Sequence, residues 1–359
     1  MRIKFRLLKK LLATCLIGLI MVVPSLAGSV KVEAASFAEE LLYGAAAFAY
    51  INWQLNNLND NHQADLLKQT KQQTGVDYDE EANTYVHNIS TRLMSNGIIK
   101  NHYAVYITPE KKFNAFCTLG HVIAVNRGAV DLLNEDELAA VLGHEMGHGE
   151  HRDPVEGTKK ILGLSVMIDL YIQNNPNLTS EVLGTVGGNY VANEVITMQE
   201  EWNADNAGFD NAVAAGYNPG GGAASMVKLR SLLGELWHEG LSKVINPNNH
   251  PKTSDRVNNF AKRLTNYSNG HVTVKNDKTV QIDGHDVVTP VKANGRLAEE
   301  RAYLIAGNLA KVYHNNAVAT AYVGDNGAVY IGDQLIMTPA ESDAGNTEVA
   351  DGINAVTGK

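Results

Sequence analysis

Two histidines, His144 and His148, lie four residues apart in the stretch LAAVLGHEMGHGEHRD at 138–153, with Glu145 directly after the first. On a helix, positions i and i+4 share a face, so both imidazoles can bind one metal ion. Glu145, about 100° round the helix, can reach a water at that metal. Two imidazoles with an open coordination position suit a catalytic zinc ion, one per chain. The metal lowers the pKa of water and polarises a carbonyl, and the carboxylate takes the proton. Short patterns of this kind also arise by chance, so the neighbouring residues carry the weight. Gly143 and Gly147 stand inside the same helix, each at a cost of about 1 kcal/mol relative to alanine. A helix that carries both reads as one approached closely by another backbone or a ligand.

A third ligand is expected from EEWNADNAGFD at 200–210. Glu201 and Asp205 are four apart on a predicted helix, and Gly208 and Ala212 continue the same face with small residues. Tight packing of that face on the histidine helix would bring Glu201 to the metal. Asp205 could then hydrogen-bond a ligand histidine from behind. An acidic helix face is usually solvated surface. Beside a His-Glu-x-x-His helix, it supplies the carboxylate of a His, His, carboxylate set. Glu200, about 100° round the helix from Glu201, is the competing ligand.

Taken together, NEDELAAVLGHEMGHGEHRD and EEWNADNAGFDNAVAAGYNP resemble metallopeptidase family forty-eight, the family of HtpX-type and CAAX-prenyl-type proteases and of soluble periplasmic members. Its pattern of H-E-x-x-H followed by E-x-x-A-D-x-x-G stands at His144–His148 and Glu201–Gly208. Upstream, FNAFCTLGHVIAVNRGAVDLL resembles the family's N-A-F segment and edge strand. Downstream, NHPKTSDRVNNFAKRL resembles its H-P-x-x-x-x-R segment at His250–Arg256. The four matches run in order over about 79–266. One departure is visible: where the family often has Ser-Arg before the ligand glutamate, Thr197 and Met198 stand here.

The resemblance implies an α+β, zincin-like (gluzincin) fold: a mostly helical metalloprotease domain with a small sheet. It implies His144, His148 and Glu201 as zinc ligands and Glu145 as general base. Asp205 would support a ligand histidine. His250 would lie near the metal as a further ligand, a gate or a catalytic transition-state stabiliser, and Arg256 would anchor its loop by a salt bridge. The substrates would be polypeptides. The strand at 121–126 is expected to be the edge strand that pairs with an extended peptide. Val122, Ile123 and Ala124 would contact substrate there, with Asn114 and Ala115 beside them. Backbone pairing reads little sequence, so broad specificity follows.

Several elements must position these residues. Apolar spacing predicts helices over 36–76 and 79–97, and β-branched runs predict strands over 102–108 and 121–128. Asn134 and Glu137 form a capping-box pair at the start of a helix over 135–151. Further helices are expected at 157–173, 178–199, 200–216, 221–239 and 254–266. The first two of these are interrupted by polar residues and too short to cross a bilayer. The metallopeptidase domain is thus placed at 36–268. From 270 the chain is β-rich, with a helix at 296–313 and a hairpin turning at Asp-Asn-Gly. Residues 269–340 therefore read as a small α+β module of unknown role, dispensable for hydrolysis, and 341–359 as a disordered tail. No internal repeat is apparent.

The bulk properties bound the function. The chain has 359 residues, 44% apolar and 19% charged, with a formal charge of −9. An acidic chain is a poor partner for a phosphate backbone, so nucleic acid is not expected. MRIKFRLLKK is basic, LLATCLIGLIMVV apolar and PSLAGSVKVEAAS small and polar, the three regions of a signal peptide over 1–35. Cleavage after Ala27, Ala34 or Ala35 would leave no stable membrane span and a single cysteine, Cys117, hence no internal disulfide. The expected protein is an exported zinc endopeptidase of the periplasm or cell envelope, or a secreted one. It would act on unfolded or misassembled envelope proteins. The alternative is a non-catalytic or latent chaperone-like binding protein on the same fold. Oligomeric state is not legible in the sequence.

Overall fold

The computed structural model describes residues 48–49, 52–160, 197–234, 251–341 and 343–359. The expected signal peptide, most of the two helices expected at 157–199, and His250 lie outside the described residues.

Helix α1 (Gln63–Thr74) leads into α2 (Glu80–Met94). The Asp79 side chain caps α2 by accepting from the Ala82 amide. Its buried face carries Val86, Ile89 and Leu93 at helical spacing. Three strands follow: β1 (Ala104–Thr108), β2 (Ala115–Thr118) and β3 (Val122–Asn126). Their order is β1-β3-β2, with β3 parallel to β1 and antiparallel to β2.

This order corrects the expectation for 121–126. β3 is the central strand, hydrogen-bonded on both sides, and all five of its residues are buried. The backbone at Val122, Ile123 and Ala124 is therefore committed to the sheet and cannot pair with a peptide. VIAVN begins with an unbroken apolar run, which fits a strand covered on both faces better than an edge. The segment expected to link the strands, KFNAFCTLG, itself supplies the edge strand β2.

A short helix α3 (Arg127–Leu132) connects to α4 (Glu135–Glu150), which bears the two histidines. The capping box forms as the spacing predicts: Asn134 accepts from the Glu137 amide, and the Glu137 carboxylate accepts from the Asn134 amide. α4 is buried continuously from Glu137 to Gly149. It packs on β2, on α5 (Met198–Ala214) and on α6 (Gly221–Leu233). Helix α7 (Thr253–Tyr267) lies against α5 and α6.

The C-terminal part repeats itself. Strands β4 (Val272–Val274), β5 (Val280–Ile282) and β6 (His285–Val288) form a meander followed by α8 (Ala298–His314). Strands β7 (Ala321–Val323), β8 (Val329–Ile331) and β9 (Gln334–Met337) form a second meander followed by α9 (Asn346–Thr357). Val272 pairs with Ile282 as Ala321 pairs with Ile331, and Val280 with Val288 as Val329 with Met337. The register irregularity falls at Val280/Gln281 in one sheet and at Val329/Tyr330 in the other. Lys278 has φ 73 where the second copy has Gly327 with φ 75. The helices are exchanged: α8 packs on β4, β5 and β9, and α9 on β7, β8 and β6. The sequence hides this repeat because few positions are identical between copies, chiefly Val274/Val323, Val280/Val329, Ile282/Ile331 and the Thr-Pro pairs at 289–290 and 338–339.

The tail expected to be disordered is α9. Val349, Ala350 and Ile353 bury against the second sheet, so a polar composition concealed one apolar stripe. Nor does the C-terminal part keep its core to itself. Tyr303 and Leu304 of α8 join Phe209 of α5, Leu229 of α6 and Phe260 of α7 in one cluster.

Candidate metal centre

The site rests on how closely α4 and α5 approach. A Cβ on Gly208 would lie 2.7 Å from the His144 backbone nitrogen, and one on Gly143 would lie 3.0 Å from the Gly208 carbonyl oxygen. A Cβ on Gly147 would meet the Ala207 methyl at 3.0 Å. The helix glycines, costly for α4 in isolation, are thus what lets two backbones touch. This contact sets Glu201 opposite the two histidines.

His144, His148 and Glu201 present one donor atom each, all within 4.8 Å of one another, and all three residues are buried. The two Nε2 atoms are 3.0 Å apart. Glu201 Oε2 lies 3.8 Å from His144 Nε2, and Oε1 lies 3.6 Å from His148 Nε2. Ligands about 2.0–2.1 Å from a tetrahedral zinc stand about 3.3 Å apart, so this donor set fits the ion. The opposite nitrogens are held by carboxylates: His144 Nδ1 by Asp205 Oδ1 at 2.9 Å, and His148 Nδ1 by Asp153 Oδ2 at 2.7 Å. With Nδ1 donating to a carboxylate, Nε2 is the ring atom turned to the metal position.

The electrostatics favour a cation. Glu145, Asp153, Glu201 and Asp205 are all buried here, and Arg256 is the fixed positive charge set among them. Its Nε donates to Asp205 Oδ2 at 2.8 Å and its Nη2 to Oδ1 at 2.5 Å, with Nη1 3.5 Å from Glu201. Burial works against ionising Asp205, but the Arg256 charge and the hydrogen bonds that His144 and Arg256 donate together outweigh it and hold the carboxyl below its ordinary range. Burial likewise opposes charge on His148, yet its hydrogen bonds to Asp153 and Glu201 and the nearby carboxylates push it up to about 10. A pocket that draws a proton this strongly also suits a divalent ion.

Most expectations meet at one place. His144, His148, Glu201 and Asp205 cluster as the spacing predicts, Glu145 is buried beside them, and Arg256 grips Asp205. The competing Glu200 is excluded: its carboxylate accepts from the Thr197 amide at 2.6 Å and from Lys160 at 3.1 Å, closing a capping box at the start of α5. Thr197 is the N-cap of that box. His250 lies outside the described residues. Asn114 gives its carbonyl to the Asn126 amide at 2.9 Å, inside the sheet, while Ala115 lies on the edge strand. Asp153 was not anticipated. It follows α4 through Arg152, whose φ of 63 turns the chain back toward His148. An aspartate five residues after the second histidine is visible in the sequence, but that turn is not.

A buried His-His-Glu centre on two helices in contact, beside a small mixed sheet, defines an α+β protein of zincin-like fold. The chain matches the model of Peptidase family M48 over residues 80–264, just over half its length, and belongs to that family. It is similar to Metalloprotease LoiP of Escherichia coli (strain K12), 28% identical over 167 residues, which cover 46% of this chain and 63% of LoiP. A Protease HtpX homolog of Desulfatibacillum aliphaticivorans is 40% identical over 77 residues, 20% of this chain and 24% of that protein. Another, from Campylobacter curvus (strain 525.92), is 43% identical over 58 residues, 15% of this chain and 20% of that protein. The chain thus spans less than two-thirds of the length of each of these relatives.

Proposed function

We propose that the protein is an exported zinc endopeptidase that hydrolyses peptide bonds of unfolded or misassembled envelope proteins. The observation that carries this reading is the buried His144–His148–Glu201 donor set with Glu145 one residue from the first ligand. LoiP is named a metalloprotease and the HtpX homologs proteases, in keeping with it. Among the described residues no helix is long and apolar enough to cross a membrane.

His144, His148 and Glu201 would hold the zinc ion. When bound, it supplies Lewis acidity to the scissile carbonyl and the attacking water. Asp205 and Asp153 keep the two imidazoles in the tautomer and orientation that ligation needs. Glu145 takes the proton from the attacking water and delivers it to the leaving amine. The substrate would lie along β2. Asn114 turns its carbonyl to β3, so by strand alternation Ala115 and Cys117 turn theirs to the outer edge. Among the described residues no strand pairs with that edge. Main-chain pairing there selects extended, unfolded segments and little sequence.

The test is the Glu145→Gln variant, assayed with the parent for bound zinc and for cleavage of an unfolded protein such as casein. One zinc per chain in both, with turnover in the variant lower by about 10²–10⁴-fold, is the expected result. Equal turnover in the two would refute the reading.

A further inference from the structure

Away from the metal, three charged side chains meet in the protein interior. Glu137 on α4 and Glu300 on α8 are fully buried, and Lys228 on α6 nearly so. Lys228 Nζ lies 2.7 Å from Glu137 Oε2 and 3.1 Å from Glu300 Oε1, and it donates to the Leu132 carbonyl at 2.9 Å. Each glutamate also closes the first turn of its own helix, Glu137 accepting from the Asn134 amide and Glu300 from the Leu297 amide. The cluster therefore joins the first turn of the metal-site helix to the first turn of α8.

Two carboxylates and one ammonium leave a net negative charge in an apolar setting, a costly arrangement. Oε1 of Glu137 is buried without a hydrogen-bond partner, and Oε1 of Glu300 has the Lys228 ammonium 3.1 Å away without a well-aligned hydrogen bond. A proton shared between the two carboxyls gives the Glu137 oxygen a partner and neutralises the cluster. Burial first, and then the charge of Glu300, push the Glu137 carboxyl up to about 7, against the pull of Lys228. On α4 itself, Asp136 accepts from the Asn218 amide and Glu135 stands 3.9 Å from Arg92 of α2. Tyr85 of α2 lies within electrostatic reach of Glu135, Asp136 and Glu137. Before α8, the half-exposed Arg296 is 3.7 Å from Glu300. Lys311 of α8 acts on Asp136 from outside the cluster.

We propose that Glu300 is a positioning residue for the metal-site helix. Through Lys228 and Glu137 it ties the C-terminal repeat to the first turn of α4, and a proton shared in the cluster makes that tie pH-dependent. The repeat is then part of the metal-site unit, against the sequence expectation that it is dispensable. Neighbouring contacts agree. Asn218, in the loop before α6, donates to the Leu304 carbonyl and to Asn308 of α8. Gly307 of α8 leaves no room for a Cβ against Asn218.

The direction of the pH effect follows from linkage. The folded chain keeps a proton that the unfolded chain releases in the ordinary carboxylate range. Stability from the protonated cluster is complete below that range and is lost as pH rises to about 7.

The experiment compares the zinc-loaded full chain with its Glu300→Gln and Glu137→Gln variants, in which an amide replaces a carboxyl and needs no added proton. Thermal midpoints are measured from pH 5.5 to 8.5, together with the rate at which a chelator removes zinc. Neither readout depends on peptidase activity, so the result stands apart from the function proposed above. The expected result is a Glu300→Gln midpoint above the parent by roughly 2–4 °C at pH 8, with the gap closing toward pH 5.5. Zinc release from the parent, relative to the variant, should quicken above pH 7. Parallel midpoints at every pH would overturn the shared proton. A flattened midpoint profile with an unchanged ratio of zinc-release rates would overturn the positioning role. Should Glu300→Gln fail to fold, Glu137→Gln makes the same comparison, and failure of both overturns the proposal.

Discussion

Each histidine of the candidate metal centre is held at Nδ1 by a different carboxylate, one from α5 and one from the turn after α4. Asp205 reaches His144 from α5, and Asp153 reaches His148 from the turn after α4. Asp205 is itself clamped by Arg256, so His144 is fixed through a chain of three buried groups. His148 depends on Asp153, and Arg256 grips Asp205 rather than Asp153. Asp153→Asn retains shape but loses the charge that orients the imidazole. We expect zinc affinity to fall by about 10–100-fold, measured by competition with a chelator of known affinity, with the fold retained by circular dichroism. An unchanged affinity would show that Asp153 does not orient the ligand. The residue-scale contrast between Glu200 and Glu201 has a similarly local cause. The first turns back to cap its helix at Thr197, and the next in sequence, about 100° round, faces the histidines.

Helices α4 and α5 meet through glycine and alanine rather than through interlocking large side chains. Close approach gives the site its rigidity and also its vulnerability. A methyl at Gly208 would press on the His144 backbone, at 2.7 Å from the nitrogen and 2.9 Å from Cα, and neither atom can rotate away. We therefore expect Gly208→Ala to cost about 1–3 kcal/mol and to lower zinc occupancy, because separation of the helices carries Glu201 away from the histidines. Denaturant unfolding with metal analysis reads both. A stable variant with full zinc would mean that the helix contact is not what sets the site. Exposed helix substitutions elsewhere on α5 should leave zinc unaffected, since they do not reach this seam. The sheet follows the same logic at its own scale. β3 lies in the middle because both its faces are apolar, and β2, with only Ala115 fully buried, is left at the edge beside α4.

At the scale of the whole molecule, the described residues between 52 and 359 belong to one compact unit. The family match ends at residue 264, but the packing does not. A chain cut after 268 would lose Tyr303 and Leu304 from the cluster shared with α5, α6 and α7. It would also lose Glu300 and the contacts of α8 with Asn218. We expect such a truncated protein to be poorly soluble and to bind zinc substoichiometrically, compared with the full chain by soluble yield and metal content. A well-folded truncation with one zinc would restore the reading of the repeat as an appendage. Within the repeat, α8 and α9 each cover a strand of the other copy, so deletion of α9 alone should expose the second sheet and destabilise the first.

What the sequence determined by itself was local. His144 and His148 share a face because a helix has 3.6 residues per turn. Asn134 with Glu137 marks the start of that helix, and two glycines on it announce a close neighbour. The spacing of Glu201, Asp205, Gly208 and Ala212 identified the neighbour's face. These inferences succeeded because each depends on a few consecutive residues. The tertiary structure decided everything that needed two distant segments at once. It chose β2 over β3 as the edge, since hydrogen-bonded order is set by which strands meet and not by the composition of one. It brought Asp153 back to His148 through a single left-handed residue, Arg152. It turned a polar tail into α9 by offering Val349, Ala350 and Ile353 a sheet to cover. It also revealed a repeat whose copies keep register while differing at most positions, because strand pairing constrains the backbone and the buried face and leaves the outward side chains free to change.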